Sequence, residues 1–234
     1  MIRFGLVKTS LVDYPGEVAS VLFTHGCNLR CPFCHNPELV AGPVPPDFIS
    51  EAEALAHLRK RRGVLGAAVI SGGEPLLHPE IPAFIEAVRG LGLKVKLDTN
   101  GCFPAALEGL PADYIAMDVK TSLDRYDLVL GEARRAGETA AAVARSIAVV
   151  LASGLAHEFR TTAAPGLVSE EDIRSIARSI RGCRRWVLQR FVPRETLEPG
   201  WKSLPATSDE TLARLAAAAR SEGIEVVVRD GIRR

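Results

Sequence analysis

The segment Ala67-Ala68-Val69-Ile70-Ser71-Gly72-Gly73-Glu74-Pro75, continued to Arg89, decides how this chain is read. Ala67–Ser71 is a short apolar run of the kind that forms a strand. Gly72 to Pro75 is turn chemistry, with glycine for backbone freedom and proline to end the turn. A helical stretch follows, and Pro79 suits the first turn of a helix reaching about Arg89. Strand, turn and helix in that order make half of a βαβ unit.

The unit recurs on both sides. Candidate strands are Val18–Thr24, Ala67–Ser71, Leu93–Asp98, Asp113–Asp118, His157–Thr162, Arg185–Phe191 and Ile224–Val228. Helices lie between them. Ser50 with Glu53 reads as a capping box, and Ser169 with Asp172 is a weaker relative. Ser208 caps an Ala-rich helix, Asp209–Ser221, which Gly223 ends, and a longer helix covers Glu138–Ala152. Strands alternating with helices imply a mainly parallel sheet. There are about six units, whereas a closed eight-unit barrel needs ~250 residues. The expected fold is therefore α/β, a partial (β/α)6 TIM-like barrel in a single domain spanning residues 1–234. Pro43-Val44-Pro45-Pro46 is a stiff loop, and no repeat or long linker interrupts the pattern.

Composition narrows the function. The 234 residues hold 29 basic and 28 acidic side chains, a net charge of +1. That argues against a broad electrostatic footprint for nucleic acid or an anionic membrane. No run approaches ~20 apolar residues, and Met1 to Gly16 lacks the apolar core of a signal peptide. A cytoplasmic location is expected. Five cysteines are an odd count, and three of them crowd together at Cys27, Cys31 and Cys34. In a reducing compartment this indicates metal or redox chemistry, not a disulfide framework.

The unusual residues fall at strand ends. The cysteines follow the first strand and Gly72-Gly73-Glu74-Pro75 the second. Asp98-Thr99-Asn100-Gly101 ends the third and Asp118-Val119-Lys120 the fourth. Arg160 and Thr162 end the fifth, and Gln189 and Arg190 lie near the end of the sixth. Parallel α/β folds bind ligands beyond the carboxyl ends of their strands.

Each motif also has a plainer reading. The C-x3-C-x2-C spacing puts three thiolates in one loop. A structural zinc site would need a fourth ligand, for which His25 or His35 is available. A four-iron cluster on three cysteines would leave one iron open to a small molecule. Cys102 and Cys183 belong to no second C-x2-C pair and read as small buried or half-buried side chains. Glu74 is either part of a turn or an acceptor for an ammonium group, with the glycines allowing close approach of a ligand. Turn chemistry explains Asn100 and Gly101 but not Asp98, an acid at the end of an apolar strand. Asp118 and Lys120, two apart, could share one face. They read either as an ion pair at the rim or as groups that bind a zwitterion, with room for a monovalent cation. Arg59 to Arg62 is a solvated helix end. His57 and His78 read as surface or loop residues, and Phe4, Tyr14, Trp186 and Trp201 as packing residues. A serine-hydrolase elbow and a phosphate-binding loop are both absent from the sequence.

Taken together, the cysteine spacing and the Gly-Gly-Glu-Pro segment resemble the radical S-adenosylmethionine (SAM) superfamily. The runs Thr9-Ser10-Leu11-Val12-Asp13-Tyr14-Pro15-Gly16 and Gly26-Cys27-Asn28-Leu29-Arg30-Cys31-Pro32-Phe33-Cys34-His35-Asn36-Pro37-Glu38 resemble the glycyl-radical-enzyme activases. The branch that activates anaerobic ribonucleoside-triphosphate reductase is the nearest match. The resemblance implies a [4Fe–4S] cluster on Cys27, Cys31 and Cys34, in a cluster loop spanning residues 25–38, with SAM on the open iron. It implies that Phe33 lies near the adenine and that Gly72, Gly73 and Glu74 receive the methionine amino group. Asp98, Thr99, Asp118 and Lys120 would surround its carboxylate, with a monovalent cation in some members. Reductive cleavage of SAM would then yield a 5′-deoxyadenosyl radical that takes hydrogen from a glycine of a partner enzyme. No cysteine run lies between Cys34 and Gly72, so no inserted ferredoxin domain is expected, and flavodoxin or ferredoxin would donate electrons. Two alternatives remain at this stage. One is a radical SAM enzyme acting on a small molecule, such as a 7-carboxy-7-deazaguanine synthase. The other is a non-catalytic structural zinc module.

Overall fold

The expected alternation is present, with a hairpin added in front of it. The computed structural model describes residues 2–130 and 136–230. Its strands are β1 (Arg3–Ser10), β2 (Ala19–Thr24), β3 (Ile49–Ser50), β4 (Ala67–Gly72), β5 (Lys94–Thr99), β6 (Tyr114–Asp118), β7 (Ala156–Ala163), β8 (Trp186–Arg190) and β9 (Val226–Arg229). The helices are α1 (Glu51–Arg61), α2 (Ile81–Arg89), α3 (Pro104–Leu107), α4 (Ala136–Ala152), α5 (Glu170–Ser179) and α6 (Asp209–Ser221).

All strands join one sheet in the order β3-β1-β2-β4-β5-β6-β7-β8-β9. From β2 through β9 each neighbouring pair is parallel, and each of α1 to α6 lies between successive parallel strands. β1 pairs antiparallel with β2 and with β3. The sheet thus ends in two open edges, as a partial barrel does.

Helix starts follow their local chemistry. Ser50 and Glu53 form the capping box, and Ser169 and Asp172 form a complete second one. Ser208 accepts from the Thr211 amide at the start of α6. One expectation needs correction. Pro79 lies ahead of α2, and the proline in its first turn is Pro82, with Glu80 at the N-cap.

The two faces of the sheet differ in kind. Helices cover the outer face, where Ile70, Leu97, Ile115, Met117, Phe159 and Trp186 are buried in the main core. The concave face carries the alternate residues. Near the strand starts these are small or aromatic: Ala19, Val21, Ala67, Val69 and Ala116, with Tyr14 and Tyr114 packed at 5.9 Å. Toward the strand ends the same face turns polar, through Ser71, Asp98, Asp118, Arg160, Thr162 and Gln189. Register brings these together, with Asp118 opposite Arg160 and Thr162 opposite Gln189.

Candidate active site

Those polar strand ends and the cysteine loop enclose a cavity of about 270 Å³. Cys27, Cys31, Phe33, Cys34, Gly72, Gly73, Asp98, Thr99, Asp118 and Lys120 all line it. The sequence had marked each of these. Ser71, Asn100, Arg160, Thr162 and Gln189 line it too, and so does His35.

The cysteine loop is fixed from three sides. Its own ends close through Gly26 N–H to Leu39 O (2.8 Å) and Cys27 N–H to Val40 O (3.1 Å). The β4 loop donates Glu74 N–H to Gly26 O (2.9 Å). From the segment after β8, Leu197 N–H reaches Cys34 O (3.1 Å) and Glu198 N–H reaches Pro32 O (3.0 Å). Trp201 of the same segment packs 6.1 Å from Phe33. Sequence reasoning missed this strap, because it is made of backbone groups in a stretch without a motif.

The glycines serve this packing. A Cβ on Gly73 would stand 2.1 Å from Gly26 O, and one on Gly72 would stand 2.4 Å from Thr24 N and O. Gly72 also has φ +120°, which side chains resist. Glycine is required here by the neighbouring backbone, a stronger reason than room for a ligand.

Glu74 departs from expectation more sharply. Its carboxylate does not line the cavity; it is wholly buried behind it. It accepts from Leu76 N–H (3.1 Å), Thr99 Oγ1 (2.8 Å) and Asn100 N–H (2.7 Å). Burial outweighs these bonds and lifts its pKa to about 7. Glu74 thus clamps the β4 loop to the β5 loop.

Beside the cysteines lies a charged network. Arg160 bridges Asp118 (2.6 Å) and Asp98 (3.1 Å). Lys120 holds Asp118 at 2.7 Å, and Lys96 holds Asp98 at 2.8 Å. Burial raises both carboxylates, but the cations more than offset it and hold both below the usual carboxylate range. Asp118 in turn lifts Lys120 and Arg160 despite their burial. Three cations thus face two anions, and the spare positive charge is available to an anionic ligand group. Lys96 was missed in the sequence, although its position two residues before Asp98 put both on one face.

All three thiols are partly or wholly buried, which raises each of them, Cys31 to about 12. Thiolate ligation at this loop would therefore release protons. Among the described residues, no three Cys, His, Asp or Glu side chains gather as a group that could hold one metal ion. The three thiols instead stand around one cavity, which suits a cluster that distributes its thiolates over several irons. Of the two histidines considered as zinc ligands, His35 engages Val192 O at 2.9 Å, and His25 packs edge-on to Phe48. Cys102 is buried and Cys183 half-buried, and neither lines the cavity.

Residues 21–180 match the model of the Radical SAM superfamily. The chain belongs to the radical SAM superfamily. A glycyl-radical enzyme activating enzyme homologue of Methanocaldococcus jannaschii is 32% identical over 96% of this chain and 94% of its own length. A pyruvate formate-lyase-activating enzyme of Clostridium pasteurianum is 29% identical over 82% of each. The fold is shared with a radical SAM methyltransferase from Sphaerobacter thermophilus, at a TM-score of 0.66 and 20% identity over 97% of this chain and 77% of that one. The protein is thus a radical SAM enzyme with activating enzymes among its relatives. A [4Fe–4S] cluster and SAM are the cofactors this family implies, and the buried thiols beside a spare positive charge are a donor set that fits them.

Proposed function

We propose that this protein is a glycyl-radical-enzyme activase whose partner is anaerobic ribonucleoside-triphosphate reductase. Cys27, Cys31 and Cys34 hold the [4Fe–4S] cluster, leaving one iron for SAM. When bound, these cofactors supply reductive carbon–sulfur cleavage and a radical able to take hydrogen from a glycine. The protein's own contribution is placement and charge. Lys120 and Arg160 receive the methionyl carboxylate, while Asp98 and Asp118 orient them. Gly72, Gly73 and Glu74 receive the amino group, and the Glu74 side chain also holds their loop in place. Thr99 anchors the β5 loop through Glu74, and Phe33 forms an apolar wall for the adenine. A monovalent cation, where bound, would share Asp118 with Lys120. Flavodoxin or ferredoxin supplies the electron, and the reaction takes place in the cytoplasm. No helix among the described residues is long and apolar enough to cross a membrane.

The observation that carries this reading is the spare positive charge beside the three-cysteine loop, set in a chain that aligns with an activating enzyme homologue over 96% of its length. A small-molecule reading has narrower support. A 7-carboxy-7-deazaguanine synthase of Hyperthermus butylicus is 42% identical, but over only 34% of this chain. The test is anaerobic reconstitution, reduction and incubation with SAM and the candidate reductase, read by electron paramagnetic resonance. A glycyl radical on the reductase is expected. SAM cleavage with a radical only on another glycyl radical enzyme would overturn the choice of partner. Cleavage with no radical on any such enzyme would overturn the activase reading.

A further inference from the structure

Asn100 lines the cavity and is 5% exposed, yet turn chemistry alone was enough to account for it in the sequence. In the structure its side chain does more than shape a turn. Its Oδ1 accepts from Cys102 N–H at 3.0 Å. That contact fixes which end of the amide is oxygen, because a backbone N–H can only donate. The Nδ2 group is therefore turned toward the cysteine loop. It donates to Asn28 Oδ1 at 2.8 Å and lies 3.9 Å from Cys27 Sγ, at the long end for an N–H···S contact. The first of these bonds fixes Asn28 in turn. Its own Nδ2 is buried, with no acceptor among the described residues.

Cys27 Sγ also accepts from Leu29 N–H at 3.5 Å. The Asn100 backbone is held by Glu74 at 2.7 Å. A rigid chain thus runs from a buried carboxylate, through one amide, to one sulfur. Hydrogen bonds to cluster sulfurs are among the factors that set an iron–sulfur potential. Donors favour the more negative, reduced state.

We infer that Asn100 is a positioning residue for the cluster, donating one Nδ2 hydrogen to Cys27 Sγ to raise the cluster's reduction potential, and that Asn28, which takes the other hydrogen, holds the amide at the long end of its reach to the sulfur. The inference rests on the assignment of Cys27 as a cluster ligand, and not on the identity of the partner enzyme. Removing the donor then shifts the potential negative. Removing the Asn28 acceptor releases the Asn100 amide to close on the sulfur and shifts it positive. Mere loosening of the loop would not move the two variants in opposite directions.

The experiment is an anaerobic redox titration of the reconstituted full chain, without SAM or partner, followed by the electron paramagnetic resonance signal of the reduced cluster. Asn100→Asp keeps the acceptor for Cys102 N–H and removes the donor, and its added negative charge lowers the potential as well, so the direction of Asn28→Ala carries the decision. Its potential is expected below that of the unsubstituted protein, with Asn28→Ala above it. An unchanged potential in Asn100→Asp, or a fall of similar size in both variants, overturns the inference. Should Asn100→Asp take up no iron, Asn28→Ala decides alone, and an unchanged or lowered potential counts against the assignment. An unsubstituted protein that takes up no iron would overturn the cysteine assignment itself, and this inference with it. Loss of glycyl-radical formation with both shifts intact would count only against the activase reading.

Discussion

Arg160 is the side chain on which the charged network turns, and replacing it by leucine tests the site without any cofactor. Arg160 bonds both Asp118 and Asp98, at 2.6 and 3.1 Å. Hydrogen bonds to charged groups contribute about 1.5–3 kcal/mol each. Its removal does not orphan a carboxylate, because Asp98 keeps Lys96 and Asp118 keeps Lys120. Two cations would then balance two anions. The expected loss is about 3 kcal/mol, the low end for two such bonds, because no carboxylate is left unpaired. Asp118→Ala should cost more, because it leaves three cations facing one carboxylate. The assay is urea unfolding of the full chain without cluster, with the midpoint expected to fall at unchanged slope.

The pH dependence gives an independent check on the same variant. Asp98 and Asp118 are held below their ordinary range, so their stabilisation is present above the unfolded value and is lost as pH falls through the folded one. Without Arg160 their folded pKa values rise. The deficit of Arg160→Leu should then be complete at pH 7 and shrink below about pH 4, where the variant takes up protons that the unsubstituted protein still refuses. A loss under about 1 kcal/mol, a greater loss for Arg160→Leu than for Asp118→Ala, or a deficit indifferent to pH would each refute the reasoning.

Three further outcomes are expected. Cys27→Ala, Cys31→Ala or Cys34→Ala should each reduce reconstituted iron well below about four per chain, while Cys102→Ala and Cys183→Ala retain it; a Cys102 variant that loses iron would sink the ligand assignment. Glu74 keeps a proton in the folded state that the unfolded chain releases, so its contribution weakens as pH rises from 4.5 through about 7. Glu74→Gln should remove that slope and cost about 1–3 kcal/mol, since its amide nitrogen would face the Asn100 N–H; an identical slope in urea midpoints would rule the clamp out. Gly73→Ala must push its Cβ away from Gly26 O, 2.1 Å distant, at about 1–3 kcal/mol; unchanged stability and iron retention would contradict the packing argument.

What the sequence made legible follows a physical division. Periodicity and turn residues disclosed every parallel strand among the described residues, because each is a short apolar or alternating run that must end in turn chemistry. β1 escaped. Its run Arg3-Phe4-Gly5-Leu6-Val7-Lys8-Thr9-Ser10 is only half-buried beside the edge, so its pattern is diluted by polar residues. Strand-end position located the cavity wall, Arg160 and Gln189 included. It could not give the direction in which a side chain turns. Glu74 and Asp98 look alike as acids at strand ends, yet one is clamped behind the wall and the other lies in it. That difference arises from contacts between loops, which no single stretch contains. The strap from Leu197 to Trp201 was hidden for the same reason.

The two aspartates, read from the sequence as groups around the ligand carboxylate, line the cavity and have a second task there. Three basic side chains crowded together repel one another and would not stay charged and buried unaided. Asp98 and Asp118 stand between them and cancel most of that repulsion. They cannot cancel all of it, because two carboxylates do not neutralise three cations. The residual charge lies where Lys120 and Arg160 border the cavity, next to the cysteine loop. A ligand carboxylate arriving there completes the balance, so the network is most stable when the ligand is bound. The unequal count favours an anion, and the two carboxylates, which line the cavity themselves, also hold the cations in register.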